Sequence, residues 1–289
     1  MTFGMIRHFL TKSKPSGRNI ILTGIPRSGT TLSCKILLGI ENQIALNEPI
    51  AATNFKSKLT PLNVVENAFK TYRKQLLKRQ AVPVRTNAGK ISDNAYSADR
   101  KTRKKVLERT LVKFDKNLNS DFTLILKHCA EFTLILDKLV KNYECFAIVR
   151  NPLSVLASWH SVDVPVSKGR VSKSEILNPD FHIKLEKINS LKDKQMFILN
   201  WYFSQYSALE TKNVIKYEDI ISTQGKALSV ISGKETNFAD KLKNRNSNDL
   251  YDKKVMSEYL KLLLELRDGA YLNYYSIEEI ERFANQMKL

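Results

Sequence analysis

The stretch Asn19-Ile20-Ile21-Leu22-Thr23-Gly24-Ile25-Pro26-Arg27-Ser28-Gly29-Thr30-Thr31-Leu32 joins a short apolar run to a Gly-bounded loop and then to a segment with helical spacing. A brief, nearly all-apolar run reads as a strand covered on both faces. A loop that turns from such a strand into a helix aims free backbone N–H groups and the positive end of the helix dipole at one point. That point is suited to an oxyanion. A phosphate loop of the nucleotide-hydrolysing kind places Lys directly after its second Gly, to reach the outer phosphates. Here Thr30 occupies that position and the loop's cation is Arg27.

Working outward, Ile20–Thr23, Phe122–Lys127, Cys145–Val149 and Asn213–Lys216 read as buried strands of a parallel sheet. Between them, helical patterns run over Thr31–Ile40, Leu62–Leu77, Lys101–Lys116, Phe132–Val140, Pro152–Trp159 and Lys194–Ser207, and the tail after Tyr251 is helical as well. Alternating strands and helices predict an α/β fold: a doubly wound parallel sheet with a P-loop-like phosphate-binding loop and helices on both faces. Polar, turn-rich segments at Pro83–Ser97 and Asp163–Pro179 read as loops. In such sheets ligands sit beyond the carboxyl ends of the strands. The candidate site elements are therefore Thr23–Thr31, Lys127-His128, Arg150-Asn151-Pro152 and Tyr217-Glu218-Asp219.

The 289 residues, 43% of them hydrophobic, allow one sizeable core, which predicts a single domain with a basic helical insertion at about 51–118. No run of about 18 apolar residues is present to span a bilayer, and the N-terminal stretch has too short an apolar core for a secretory signal. The expectation is a cytoplasmic protein. Cys34, Cys129 and Cys145 lie in apolar runs without paired metal spacing, which predicts small core residues and no metal site. The net charge of +18 implies either an anionic partner or a Lys-rich surface. Much of it is local, since residues 56–117 hold seventeen Lys and Arg against five Asp and Glu. No zinc-finger, RNP or helix-turn-helix signature accompanies that charge, so nucleic acid is not the expected partner.

Arg150-Asn151-Pro152 carries its own physical signal. Asn as N-cap and Pro at the first helical position mark a helix start. Arg150 thus stands at a strand end beside a helix N-terminus, where a phosphate meets both a guanidinium and free N–H groups. Ser158, about two turns further on, can add a hydroxyl to the same anion.

Taken together, Pro26-Arg27-Ser28-Gly29-Thr30-Thr31 and Val149-Arg150-Asn151-Pro152-Leu153-Ser154-Val155-Leu156-Ala157-Ser158-Trp159 resemble the two binding segments of sulfotransferases that use 3′-phosphoadenosine 5′-phosphosulfate. Lys216-Tyr217-Glu218-Asp219 is similar to that family's Arg-Tyr-Glu-Asp segment. The resemblance implies that Arg27, Ser28, Gly29, Thr30 and Thr31 cradle the 5′-phosphosulfate and that Arg150 and Ser158 bind the 3′-phosphate. It implies a sulfonate donor as co-substrate, no metal, and a small-molecule (natural product) or sugar acceptor sulfated at a hydroxyl or amine. Arg27 matches the position whose charge stabilises the departing phosphate. Two candidates remain for the base. Glu48 has the spacing of the catalytic Glu in tyrosylprotein sulfotransferases, and His128 resembles the Lys-Thr-His segment of the cytosolic enzymes without its Thr. Imidazole titrates near neutrality, whereas Glu needs its pKa raised by burial, so chemistry favours His128 and spacing favours Glu48. His8, His160 and His182 read as structural. The cytosolic family's Arg-Lys-Gly-x-x-Gly segment is missing, and Lys243-Asn244-Arg245-Asn246-Ser247-Asn248 is its nearest cationic substitute, with Arg245 the expected donor contact. The other readings are a P-loop nucleotide kinase or hydrolase, which lacks its loop Lys, and an anionic-polymer-binding protein using the basic insertion. Oligomeric state is not legible.

Overall fold

The computed structural model describes residues 17–56, 58–97, 103–236, 238, 240–244 and 251–289. Its elements, in chain order, are β1 (Asn19–Gly24), α1 (Thr30–Leu38), β2 (Gln43–Asn47), α2 (Pro61–Leu77), β3 (Val82–Thr86), β4 (Glu108–Val112) and β5 (Thr123–Lys127). They continue with α3 (Ala130–Leu134), α4 (Leu136–Leu139), β6 (Glu144–Val149), α5 (Pro152–His160), α6 (Ser172–Leu177), α7 (Pro179–Glu186) and α8 (Leu191–Gln205). The last are β7 (Val214–Lys216), α9 (Tyr217–Ser222), α10 (Ser229–Ser232), α11 (Lys253–Glu265) and α12 (Ile277–Met287).

The central sheet is parallel throughout, in the order β2-β5-β1-β6-β7. The chain leaves β1 towards β2 on one side and returns to it through β6 on the other, so β1 and β6 flank the point at which a doubly wound sheet opens a crevice. Register then sets the site. Asn47 pairs with Lys127, Gly24 with Ile148, and Val149 with Lys216, so the strand ends that precede Glu48, His128, Ile25, Arg150 and Tyr217 fall along one edge. Alternation along β1 covers both faces, since Ile20 and Leu22 pack under α1 and α9 while Ile21 joins the larger core formed with α2, α5, α8 and α12. The α/β class, the parallel sheet and the helices on both faces are those expected from the sequence. All three cysteines are buried and free. Among the described residues, no helix is long and apolar enough to cross a membrane.

Four local expectations are corrected. Lys101–Lys116 is not a helix. Residues 101 and 102 lie outside the described residues, and Glu108–Val112 pairs antiparallel with Val82–Thr86, with Thr86 and Thr110 hydroxyls 2.8 Å apart across the strands. In this hairpin Val82, Val84 and Thr86 alternate inward, a period of two that displaces the helical reading of the neighbouring cations. The same pairing turns the start of the Pro83–Ser97 loop into a strand. Phe132–Val140 is broken at Ile135 into α3 and α4. Finally, Asp163–Pro179 holds a short 3-10 turn at Pro165–Lys168 and then α6 rather than an irregular loop.

Several cations of the 51–118 segment point inward. The Lys116 ammonium donates to three carbonyls, Leu38 at 2.5 Å, Ile40 at 2.6 Å and Gln43 at 2.9 Å, and so closes the outer edge of β2 beyond the end of α1. Arg73 donates to Phe122 O, Arg18 O and Asn19 Oδ1. Arg109 donates to Pro49 O at 2.5 Å, Ile50 O at 2.7 Å and Glu48 O at 3.2 Å. These side chains satisfy backbone acceptors that burial would otherwise strand.

Candidate active site

The loop between β1 and α1 is shaped by two left-handed residues, Arg27 (φ 76°) and Gly29 (φ 91°). At Gly29 a side chain is excluded twice over, because a Cβ would lie 2.5 Å from the Tyr217 ring. Gly29 is the N-cap of α1, which has no side-chain cap and no acidic residue in its first turn, so its first N–H groups face the crevice uncompensated. Ser28 is fully buried and its hydroxyl donates to Ile148 O at 2.7 Å, tying the loop to β6. Trp159 Nε1 donates to Pro26 O at 2.9 Å and ties it to α5.

Arg27 and Arg150 meet across this loop. Arg150 Nη1 donates to Arg27 O at 3.1 Å and its guanidinium lies 4.8 Å from the Tyr217 ring centre. Arg27 Nε donates to Ser158 Oγ at 3.1 Å, Nη1 reaches Asn94 Oδ1 at 3.4 Å, and the Tyr96 ring lies 4.7 Å beneath. Burial, with Arg103 and Arg150 close by, pushes the Arg27 guanidinium down to about 10. A buried cation with cationic neighbours is a site short of negative charge. Asn151 caps α5 through Leu153 N and Ser154 N, as its position before Pro152 predicts. Its own N–H donates to Glu218 Oε1, whose other oxygen accepts from Tyr275 Oη at 2.8 Å. The Tyr217-Glu218 segment thus braces both the β1–α1 loop and the start of α5.

Two clefts open here and share a wall. The first, about 390 Å³, is lined by Arg27, Gly29, Thr30, Thr31, Arg150 and Ser158, with Tyr217, Phe238 and Leu242 on its apolar side. Lys243 lines it too, while Arg245 lies outside the described residues. The second, about 280 Å³, is lined by Glu48, Lys127, Glu131 and Lys173 below an apolar rim that includes Leu107 and Val166. Arg27, Thr30 and Thr31 face both.

Glu48 ends β2 in a left-handed conformation (φ 47°), a strained state for a non-glycine residue of the sort that clusters at functional sites. Its N–H donates to Lys127 O at 2.8 Å and its loop is clamped by Arg109 and by Tyr72 Oη on Pro49 O. The carboxylate, 20% exposed, accepts from Arg85 Nε at 2.8 Å and lies 3.4 Å from Lys173 Nζ and 3.5 Å from Lys127 Nζ. Burial pushes this carboxyl up, but Lys127, Lys173, His128 and Arg85 outweigh it and hold it well below the usual carboxylate range.

His128 is placed differently. Its side chain is 0% exposed and lines neither cleft. Nε2 accepts the Ile50 N–H at 3.2 Å, which puts the ring proton on Nδ1, facing Glu131 at 3.5 Å. Burial pushes its pKa down, so the ring is neutral near pH 7. Its lone pair is occupied by the amide two residues after Glu48. Replacing His128 with Phe, which keeps a flat ring beside Phe132 but removes the acceptor, is expected to cost about 1–3 kcal/mol of stability for the stranded amide. The Gln variant, which restores an acceptor, should recover part of it. Denaturant midpoints of the two variants check this, and a pH limb of activity that disappears in both would assign His128 the proton transfer instead.

No family model matches the sequence, and no curated protein does. Two solved structures are similar along their length. One is a sulfotransferase from Alicyclobacillus acidocaldarius, 13% identical over 93% of this chain and 96% of that chain, with a TM-score of 0.43. The other is the sulfotransferase domain of the olefin synthase from Synechococcus PCC 7002, 16% identical over 95% of this chain and 88% of that chain, with a TM-score of 0.36.

Several of these residues have no local signal in the sequence. Asn94 and Tyr96 reach Arg27 from the segment after β3, Arg85 reaches Glu48 from the hairpin, and Lys173 does so from α6. Lys127 and Tyr217 do sit in segments that the strand-end rule marks. His160, bonded to Gln195 and Tyr259, and His182, bonded to Glu175, hold helices together. Among the described residues no His, Cys, Asp and Glu group is placed to hold a metal ion.

Proposed function

We propose that this chain is a sulfotransferase that moves a sulfonate group from 3′-phosphoadenosine 5′-phosphosulfate to a hydroxyl or amine of a small-molecule or sugar acceptor, residues 51–118 being an insertion in one catalytic domain. The observation that carries the reading is the pair of clefts meeting at Arg27, Thr30 and Thr31, with Arg150 and Ser158 on one side and Glu48 on the other. The chemistry of the donor set fits such a nucleotide. Arg150 and Ser158 supply a guanidinium fork and a hydroxyl for the 3′-phosphate, and Arg27 with the N–H groups of Gly29–Thr31 meets the 5′-phosphosulfate. Phe238 and Leu242 offer an apolar wall to the base. The segment around Lys243 and Arg245 is assigned to the same nucleotide.

In the transfer the acceptor's lone pair forms the new bond to sulfur while the bond from sulfur to the phosphate oxygen breaks, and its electron pair leaves with the phosphate. Arg27 and the loop N–H groups neutralise that oxygen. Glu48 receives the acceptor proton, with Lys127, Arg85 and Lys173 fixing its carboxylate. His128 holds the Glu48 loop through Ile50.

Calorimetry with adenosine 3′,5′-bisphosphate and adenosine 5′-phosphate tests the reading. The 3′-phosphate should tighten binding about 10- to 100-fold, as charge-assisted hydrogen bonds of about 1.5–3 kcal/mol allow. Arg150→Ala should abolish the difference, weakening the bisphosphate more than the 5′-phosphate compound, which loses only the tie from Arg150 to the Arg27 carbonyl. Equal affinity of the wild-type chain for both nucleotides, or preference for ATP, would overturn it.

A further inference from the structure

We infer that the acceptor is itself an anion, a small molecule with an apolar body whose carboxylate or phosphate sits between Arg85, Lys105 and Lys173 while its hydroxyl or amine faces Glu48; the inference rests on the sulfotransferase reading.

The charge in the second cleft is unbalanced after its internal pairs are counted. Glu48 accepts from Arg85 and lies near Lys127 and Lys173, while Glu131 is paired with Lys173 at 2.8 Å. Asp163, largely exposed, is paired with Lys168 at 2.7 Å, and Arg170 is held by Glu175 and Glu186. Among the described residues, Arg85, Lys105, Lys127 and Lys173 therefore share this cleft with Glu48, Glu131 and the Lys168-paired Asp163. The Lys105 ammonium has no ion pair or hydrogen bond among the described residues, though the backbone bridge to Tyr96 holds it at the cleft. Burial and Arg85 push its pKa down, with a smaller push from Lys173, and Glu48 offsets them only in part, so cations outweigh the anion around it. Removing cations from water without a counter-charge is unfavourable, and a ligand anion supplies the missing partner.

Lys127 is fully committed, its ammonium buried between Asn47 Oδ1 at 3.2 Å and Glu48. Arg27 belongs to the sulfonate donor. Among the described residues, the cation left without a partner is thus Lys105, on the segment between β3 and β4, with Arg85 and Lys173 beside it on the same cleft, where an acceptor's distal group would reach. The remaining surface is apolar, formed by Leu107, Val164, Val166 and Val171. A cleft of about 280 Å³ stands at the small end of ligand sites, which run roughly 300–1,000 Å³. Long polymers are poorly suited to it. Positive charge at the mouth would also draw anionic acceptors in by electrostatic steering.

The test uses the full chain with sulfonate donor and a graded series of hydroxylated aliphatic and aromatic carboxylates, their methyl esters, and the matching phosphate esters, with release of adenosine 3′,5′-bisphosphate as readout. At least one anionic member should be turned over with a kcat/KM tenfold or more above its neutral ester. Comparing the carboxylate and phosphate arms says which headgroup the site prefers. Lys105→Met should cut that preference about tenfold and leave the esters little changed, while Arg85→Gln should cut the preference and slow the esters as well, because Arg85 also holds the Glu48 carboxylate. Neutral acceptors used as well as anionic ones, an unchanged preference in both variants, or no turnover of any anionic member would overturn the inference. Binding of adenosine 3′,5′-bisphosphate is measured first on the same preparation. If that binding is present the failure belongs to the acceptor assignment alone, and if it is absent the sulfotransferase reading fails with it.

Discussion

Arg27→Ala is expected to lower kcat by about 100- to 1,000-fold, the loss seen when one donor to a developing oxyanion is removed, while adenosine 3′,5′-bisphosphate binds within a few-fold of its wild-type affinity. The asymmetry follows from where the side chain stands. Arg27 lines both clefts, where the proposed transfer puts the bond being broken, whereas Arg150 and Ser158 line the first cleft alone. Charge builds on the bridging oxygen only as sulfur departs, and an interaction that strengthens only then acts on turnover rather than on affinity. The backbone supports this division. Arg150 holds the Arg27 carbonyl at 3.1 Å and Trp159 holds Pro26 O, so the loop stays in place when the side chain is cut back. Ser158 loses its 3.1 Å partner in the variant, and Ser158→Ala measures that contribution by itself. Arg27→Lys should recover part of the rate, since the charge returns without the guanidinium fork. Turnover unchanged in Arg27→Ala would remove the residue, and the loop, from the reaction.

The parts of this molecule that could be read from its sequence are those whose cause is local. β1, its loop and α1 are legible because a buried parallel strand is an apolar run and Gly29 must be glycine where it turns. Asn151-Pro152 announces α5 by cap chemistry, and the structure shows that cap in place. β2 escapes such reading because Gln43-Ile44-Ala45-Leu46-Asn47 is short and polar at both ends, although Lys116 and the hairpin bury it completely. Glu48 could therefore be marked by spacing but not placed at the end of a strand beside Lys127. The hairpin is hidden from such reading for a related reason. Its cations satisfy a helical period, and only pairing with Val82–Thr86, more than twenty residues earlier, selects the strand. What decides the charge on Glu48 lies in distant segments: Lys127, the strongest of the charges on it, comes from β5, Lys173 from α6 and Arg85 from β3. A sequence shows that a carboxylate is present, but the sum of its neighbours' fields exists only once the chain is folded.

That sum governs what Glu48→Gln should do. Turnover is expected to fall about 100- to 10,000-fold, the range for loss of a general base, with nucleotide binding retained because the side chain faces the second cleft only. The pH dependence has a definite sign. Burial alone would raise the carboxyl, but Lys127, Lys173, His128 and Arg85 hold it well below its ordinary value, so it is ionised throughout the neutral range. The wild-type rate should then show no limb from this group between about pH 5 and pH 8, the unperturbed carboxyl titrating near 4.3, and its acid limb should appear only further down. Stability follows the same sign. A depressed carboxyl contributes stability that is fully present above the unfolded pKa and is lost as pH falls through the folded one, so acid unfolding of the wild-type chain should be steeper than that of Glu48→Gln. A carboxylate so stabilised is a weak base in the resting site, and the anionic acceptor inferred above would relieve it. An acceptor carboxylate or phosphate that draws Arg85 and Lys173 to itself removes two of the charges depressing Glu48 and raises its basicity as the nucleophile arrives. Arg85→Gln should therefore slow anionic acceptors without abolishing transfer, because Lys127 still fixes the carboxylate at 3.5 Å. Wild-type kcat in Glu48→Gln would exclude the residue as base and return the proton to another group of the second cleft.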